Sequence, residues 1–155
     1  MQTINRTLEE KIVEVERTYL SNGEILKLES FVGSFAQRAK TYNLLRDRAE
    51  SIVTASLSHL EKAYPSLYQK QASRCKYDMS NVLRYMALSI LLDDDRIYRD
   101  QMMDWLSTVI ISYQISSECA MAYHKMQEVI EEHLPSECAA LVKPLTDMTV
   151  SMLSR

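Results

Sequence analysis

Along most of the chain, apolar residues return every third or fourth position, the period of a helix with one buried face. Ile4 to Tyr19 sets Leu8, Ile12, Val15 and Tyr19 on one side with charges opposite, a short amphipathic first helix. Ser21, with Glu24 three residues later, has the form of a capping box that opens a second helix. There Ile25, Leu28, Phe31, Val32 and Phe35 repeat at three and four. A further helix is predicted from about Thr41 through "LLRDRAESIVTASLSHLEKAY", ending near Pro65, and "PSLYQ" reads as a break.

From about Lys70 the stripe Cys75, Met79, Val82, Leu83, Met86 and Ile90 runs to an acidic stop at Asp93. Arg96 to Tyr113 carries Ile97, Met102, Trp105, Val109 and Ile110 at helical spacing. Ser116 or Ser117 caps a helix that runs to His133, and "LPSE" and "KPLTD" bracket the last one or two. No alternation long enough for a strand occurs, and no internal repeat. The pattern predicts an all-α domain of globin size, with six to eight helices and short connections.

Composition narrows the classes. At 155 residues the chain is most simply one domain, 1–155, able to bury a core without staples. With only two glycines, a Gly-rich phosphate loop or a nucleophile elbow has no place to form. A net charge of −3, with both signs interspersed, is no nucleic-acid footprint. The longest apolar run, "MALSILL", stops at Asp93-Asp94-Asp95, far short of the roughly 20 residues of a spanning helix. "MQTINRTLEEK" lacks the basic start and apolar stretch of a secretory signal. Cys75, Cys119 and Cys138 form neither a zinc pattern nor a disulfide framework, so a reducing cytoplasm is expected.

The stretch with candidate chemistry is "SRCKYDMSNVLRY", Ser73 to Tyr85. Residues three apart on a helix share a face, so the Cys75 thiol and the Asp78 carboxylate could address one object. They are equally readable as a packed thiol beside a solvated acid, with Arg74 and Asp78 an ordinary i,i+4 pair. His59, His124 and His133 are scattered and lack carboxylates at ligand spacing. A haem sensor would need His59 or His124 as its iron ligand, and neither lies in aromatic-rich surroundings. Catalysis is not expected.

The chain nevertheless resembles the phycobiliproteins, in particular their allophycocyanin branch. The likeness begins at "YLSNGEILKLESFVGSFAQRAKTYNLLRDRAESIV" and resumes at "CKYDMSNVLRYMALSILLDDD", where the family carries C-x-R-D, two tyrosines, L-R and an apolar run. "MMDWLSTVIISY", "AMAYHKMQEV" and "TDMTVSMLS" fit the later helices. The resemblance implies an all-α, globin-like phycobiliprotein fold with an N-terminal helical hairpin extension, residues 1–20, for subunit pairing.

It also implies a light-harvesting subunit carrying a covalent linear tetrapyrrole, phycocyanobilin by analogy, through a thioether at Cys75. Asp78 aligns with the aspartate that accepts hydrogen bonds from the inner pyrrole N–H groups. Arg84 aligns with a candidate propionate partner, and Tyr113 with a tyrosine beside the far end of the pigment. Two departures stand out. Tyr77 replaces the arginine that usually pairs with propionate, leaving Arg74 or Lys76 to approach from another angle. "PSLYQKQASRC" lacks the longer glycine-containing segment that folds over the pigment in typical members.

Implied partners are other phycobiliprotein subunits, identical or different, in pairs that close into three-fold rings at the cytoplasmic face of the thylakoid membrane. A pigment-free structural or regulatory protein on the same scaffold is the alternative, and a globin-fold haem sensor the third.

Overall fold

The computed structural model describes residues 9–10, 19–113 and 116–154. The expected first helix, Ile4 to Tyr19, and its stripe of Leu8, Ile12 and Val15 lie largely outside these residues. Among the described residues every regular element is helical: α1 (Asn22–Ala63), α2 (Pro65–Leu92), α3 (Asp95–Tyr98), a π-helical turn (Arg99–Met103), α4 (Asp104–Tyr113), α5 (Ser116–His133) and α6 (Ser136–Leu153).

Helix α1 opens with the expected capping box: the Glu24 amide donates to Ser21 Oγ, and the Ser21 amide donates to Glu24 Oε2 at 2.8 Å. The two helices expected around residues 25–35 and 41–64 are one. The residues joining them, Ala36 to Lys40, are good helix formers with no proline or glycine to interrupt them. Gly33 lies in open space, so it costs only its propensity.

The 42 residues of α1 span about 63 Å, and its first buried side chain is Arg38. Residues 22–37 therefore form an arm that leaves Ile25, Leu26, Val32 and Phe35 in solvent, Val32 at 70%. Arg38 anchors the base of that arm. Its guanidinium donates to the carbonyls of Leu91 and Phe31 and to Ser34 Oγ, and its Cζ stacks 4.3 Å from the Phe31 ring centroid.

The expected break at "PSLYQ" shrinks to Tyr64, with Pro65 the first residue of α2. Proline there loses nothing, because the first amides of a helix have no intrahelical acceptor. Helix α2 ends as its acidic stop implied: Asp93 adopts φ 53°, ψ 43°, the left-handed conformation that closes a helix. Asp94 then caps α3, accepting from the Arg96 amide at 3.1 Å and pairing with the Arg96 side chain at 2.8 Å.

The π turn corrects the expected phase of Arg96 to Tyr113. Its wider turn lets Met102 and Met103 both face inward, so Tyr98, Met102, Met103, Leu106 and Ile110 make the buried stripe, while Trp105 is exposed. Of the one or two last helices expected, the structure has one, α6, which runs through Pro144. Pro144 and Ala140 are both exposed, so water can serve the Ala140 carbonyl that proline leaves without a donor.

Helices α1 and α2 pack along each other, α5 crosses α1, and α6 lies against α5, α1 and α2. Their apolar stripes merge into one core that includes Ile52, Val53, Met79, Val82, Met86, Met126, Ile130 and Val142.

Candidate functional site: a thiol and a carboxylate at an apolar cleft

Helix α2 presents Leu67, Gln71, Arg74, Cys75, Asp78 and Met79 at three- and four-residue spacing, all to one cleft. Helix α4 closes it with Leu106, Val109 and Ile110, and α5 with Glu118, Cys119, Ala122 and Tyr123. The cleft encloses about 520 Å³ with its open mouth included, within the range of small-molecule sites. Only about 30 Å³ of that is clear enough for solvent, about the volume of one water.

Burial sets the electrostatics. The half-buried Cys75 thiol has a raised pKa, first through desolvation and then through the neighbouring Asp78, with Arg74 opposing. Asp78 is raised by burial, against which the Arg74 guanidinium, 3.7 Å away, pulls down. An i,i+4 pair of this kind is worth about 0.3–0.5 kcal/mol, and here desolvation outweighs it. Asp78 thus holds its charge at a cost to the fold. Asp78→Asn is expected to leave the fold as stable at neutral pH, or more so by up to about 1 kcal/mol. A urea titration checks this; a loss beyond about 1 kcal/mol would mean that the ion pair dominates.

Deeper in, Cys119 is pushed up to about 12 by burial and by the nearby Cys75, and Tyr123 is raised well above its ordinary value, chiefly by burial. These groups bind their protons more tightly folded than unfolded. Their contribution is therefore complete below the unfolded pKa values, near 9 for the thiol and 10 for the phenol, and is lost as pH rises through the folded ones. The urea midpoint is expected to fall steadily from about pH 9 to about pH 12, and Cys119→Ala to flatten the early part of that fall. A flat profile would contradict it.

The structure brings together Arg74, Cys75 and Asp78 of the residues singled out from sequence. Lys76 turns away and pairs with Glu50 of α1 at 3.5 Å, and Tyr77 is exposed. Arg84 lines a different hollow, with Tyr42, Arg46 and Ser80 between α1 and α2. It lies six residues beyond Asp78, about 120° away around the helix. The Tyr113 side chain lies outside the described residues.

Sequence reasoning missed Cys119, Tyr123 and Glu118. The i,i+4 spacing of Cys119 and Tyr123 was a signal that they share a face, but nothing local shows that this face meets α2. Of the histidines, His124 pairs with Glu128 at 3.1 Å, and His133 Nδ1 lies 2.8 Å from the Val129 carbonyl oxygen.

A helical pair joined at one residue, a globin-sized core and a Cys-x-x-Asp wall define the class, and comparison with known proteins agrees. The family model for phycobilisome proteins matches residues 11–153, and the chain belongs to that family. The C-phycocyanin beta chain of Porphyra purpurea is 27% identical over 146 residues, covering 82% of this chain and 83% of its own. The R-phycocyanin-1 beta chain of Porphyridium purpureum is 30% identical over 122 residues, covering 71% and 69%. The C-phycocyanin beta chain of Aglaothamnion neglectum is 29% identical over the same length. These relatives are phycocyanins, and none of them speaks for the allophycocyanin branch in particular.

Proposed function

We propose that the chain is a light-harvesting subunit that holds a linear tetrapyrrole covalently at Cys75. The observation that carries this reading is the meeting of Cys75 and Asp78 on one wall of an apolar cleft, in a chain of the phycobilisome family. When bound, such a pigment supplies light absorption and passes the excitation on, with nothing turned over.

The residues of the cleft suit the group. Cys75 offers a thiol at the mouth, and Asp78 offers an acceptor for N–H groups whose remaining competitor is one guanidinium. Arg74, half-exposed beside them, is the cation placed for a propionate, in the role that Arg84, Lys76 and Tyr77 are not positioned to share. Leu106, Val109, Ile110 and Ala122 give an apolar wall that excludes water and restrains rotation. With so little clear space, the cleft has to widen as a pigment enters.

The bare arm of α1 favours assembly. Four large apolar side chains in solvent along residues 22–37 are a surface for a partner subunit, and paired subunits can close into rings. Among the described residues no helix is long and apolar enough to cross a membrane, which suits a peripheral place at the thylakoid surface. Phycocyanobilin as the pigment, and the choice between allophycocyanin-like and phycocyanin-like roles, belong to this proposal; the relatives favour the second.

A pigment-free scaffold protein is favoured by a different observation: Pro65 to Gln71 is helical, so no loop folds over the cleft there. One spectrum separates the two. The protein, co-expressed with bilin synthesis and denatured in acid urea, shows an open-chain tetrapyrrole band under the first reading and none under the second.

A further inference from the structure

The hollow between α1 and α2 is lined from two matching stretches, "YNLLRDRA" at residues 42–49 and "SNVLRYMA" at residues 80–87. Each sets a polar residue, a leucine, an arginine and an alanine at i, i+3, i+4 and i+7, one face of a helix. The two helices join at Tyr64 and run back along each other, so the stretches meet in opposite directions. Arg46 stands 18 residues before Tyr64 and Arg84 stands 20 after it, which brings the two arginines to nearly one level along the pair. Leu45, Leu83 and Ala87 are buried beneath the hollow, and about 310 Å³ is left clear, at the lower end of small-molecule sites.

The lining carries two positive charges and no negative one. Arg46 pairs with its neighbour Asp47 at 2.8 Å, an exposed contact of small worth. Among the described residues Arg84 has neither an ion pair nor a hydrogen bond, and the Tyr42 hydroxyl has no partner either. Ser80 gives its proton to the Lys76 carbonyl at 2.7 Å. The hollow shares no residue with the cleft at Cys75 and opens on a different face of α2.

We propose that this hollow binds a small apolar carboxylate, with its head between Arg46 and Arg84 and its body over the leucine floor. A guanidinium meets both oxygens of a carboxylate through two parallel N–H donors, and the Tyr42 hydroxyl is a further donor beside them. Two cations in one hollow repel each other, and an anion between them turns that repulsion into attraction. A bare phosphate would answer the charge and leave the apolar floor wet. An uncharged apolar ligand would desolvate the arginines with nothing in return. From Tyr42 to Ala49 the helix rises about 10 Å, enough for a chain of about eight carbons. The site makes no use of Cys75, so it stands apart from the pigment reading.

The test titrates the full chain, expressed without pigment, with octanoate by isothermal calorimetry at low salt. One site per chain is expected, with a Kd on the order of 0.1–1 mM. Arg84→Ala should weaken binding by about tenfold or more, because a charged hydrogen-bonding partner is lost, and Arg84→Lys by less. Ala49→Leu keeps both charges and should weaken it comparably by filling the space. Octylammonium and inorganic phosphate should each bind at least about tenfold more weakly than octanoate. Arg84 is exposed, so its variants read out the site whether or not Ala49→Leu folds.

No saturable binding up to about 10 mM, or binding that Arg84→Ala and Ala49→Leu leave unchanged, would overturn the proposal. Sedimentation of the same samples covers the other occupant. A wild-type dimer that Arg84→Ala converts to monomer, with no uptake of octanoate, would give the hollow to a second copy and overturn it as well.

Discussion

Cys75→Ser, co-expressed with bilin synthesis, is expected to yield a folded protein whose acid-urea spectrum shows no tetrapyrrole band. The effect is all-or-none because denaturant removes every non-covalent hold, leaving only a thioether to retain the pigment. A residual band should lie at least about a hundredfold below wild type, since serine forms no comparable bond under the same conditions. The fold should hardly notice. Cys75 is only half-buried, and serine is nearly its size, so the cost is expected below about 1.5 kcal/mol.

Native buffer separates the roles further. There, Arg74 and Asp78 remain in the variant and should retain some pigment that acid urea releases. A band that survives denaturation in Cys75→Ser would move the attachment elsewhere, with Cys119 the first residue to replace. A colourless wild type would hand the chain to the scaffold reading.

Tyr98→Ala is expected to be among the most damaging single changes to the fold, at about 3–5 kcal/mol. Against a typical stability of about 5–15 kcal/mol, that removes a fifth or more. Tyr98 is fully buried at the last residue of α3, where the chain enters the π turn, and its hydroxyl lies 2.6 Å from Thr149 Oγ1 on α6. One side chain therefore ties the turn that rephases α4 to the terminal helix.

Tyr98→Phe divides the loss into its parts. Thr149 keeps its bond to the Leu145 carbonyl at 2.8 Å, so losing the phenol alone should cost only about 1 kcal/mol. Urea unfolding of the two variants gives the comparison. If Tyr98→Ala costs less than about 1.5 kcal/mol, the segment from α3 to α4 is not part of the cooperative core.

The elements legible in advance were those written in neighbouring residues. Ser21 and Glu24 form their capping box because both partners sit within one turn. Asp93 ends α2 because the acidic run follows an apolar stripe that has nowhere further to go. The stripe of α2 was read correctly from Met79 to Ile90, all of it buried but for its polar interruptions.

The misread elements depended on surroundings. Pro65 was read as part of a break, and Pro144 left the last segment open as one helix or two. One instead starts a helix, and the other sits inside one at a solvent-facing position where the missing hydrogen bond costs least. The π turn inserts one residue into the phase of a helix, and only packing of Met102 and Met103 against the core rewards that insertion.

The same division holds at the site. Sequence alone determined that Cys75 and Asp78 share a face, because helical geometry fixes the direction of residues three apart. It also determined that the periodic stretches among the described residues are helical. Only the tertiary structure decided what that face looks into. The arrival of α4 and α5 supplied Cys119, Tyr123 and the apolar wall, and the rotation of α2 sent Lys76, Tyr77 and Arg84 elsewhere. Local spacing sets an angle about one helix axis, whereas a cleft depends on which helices the burial of all their stripes brings together.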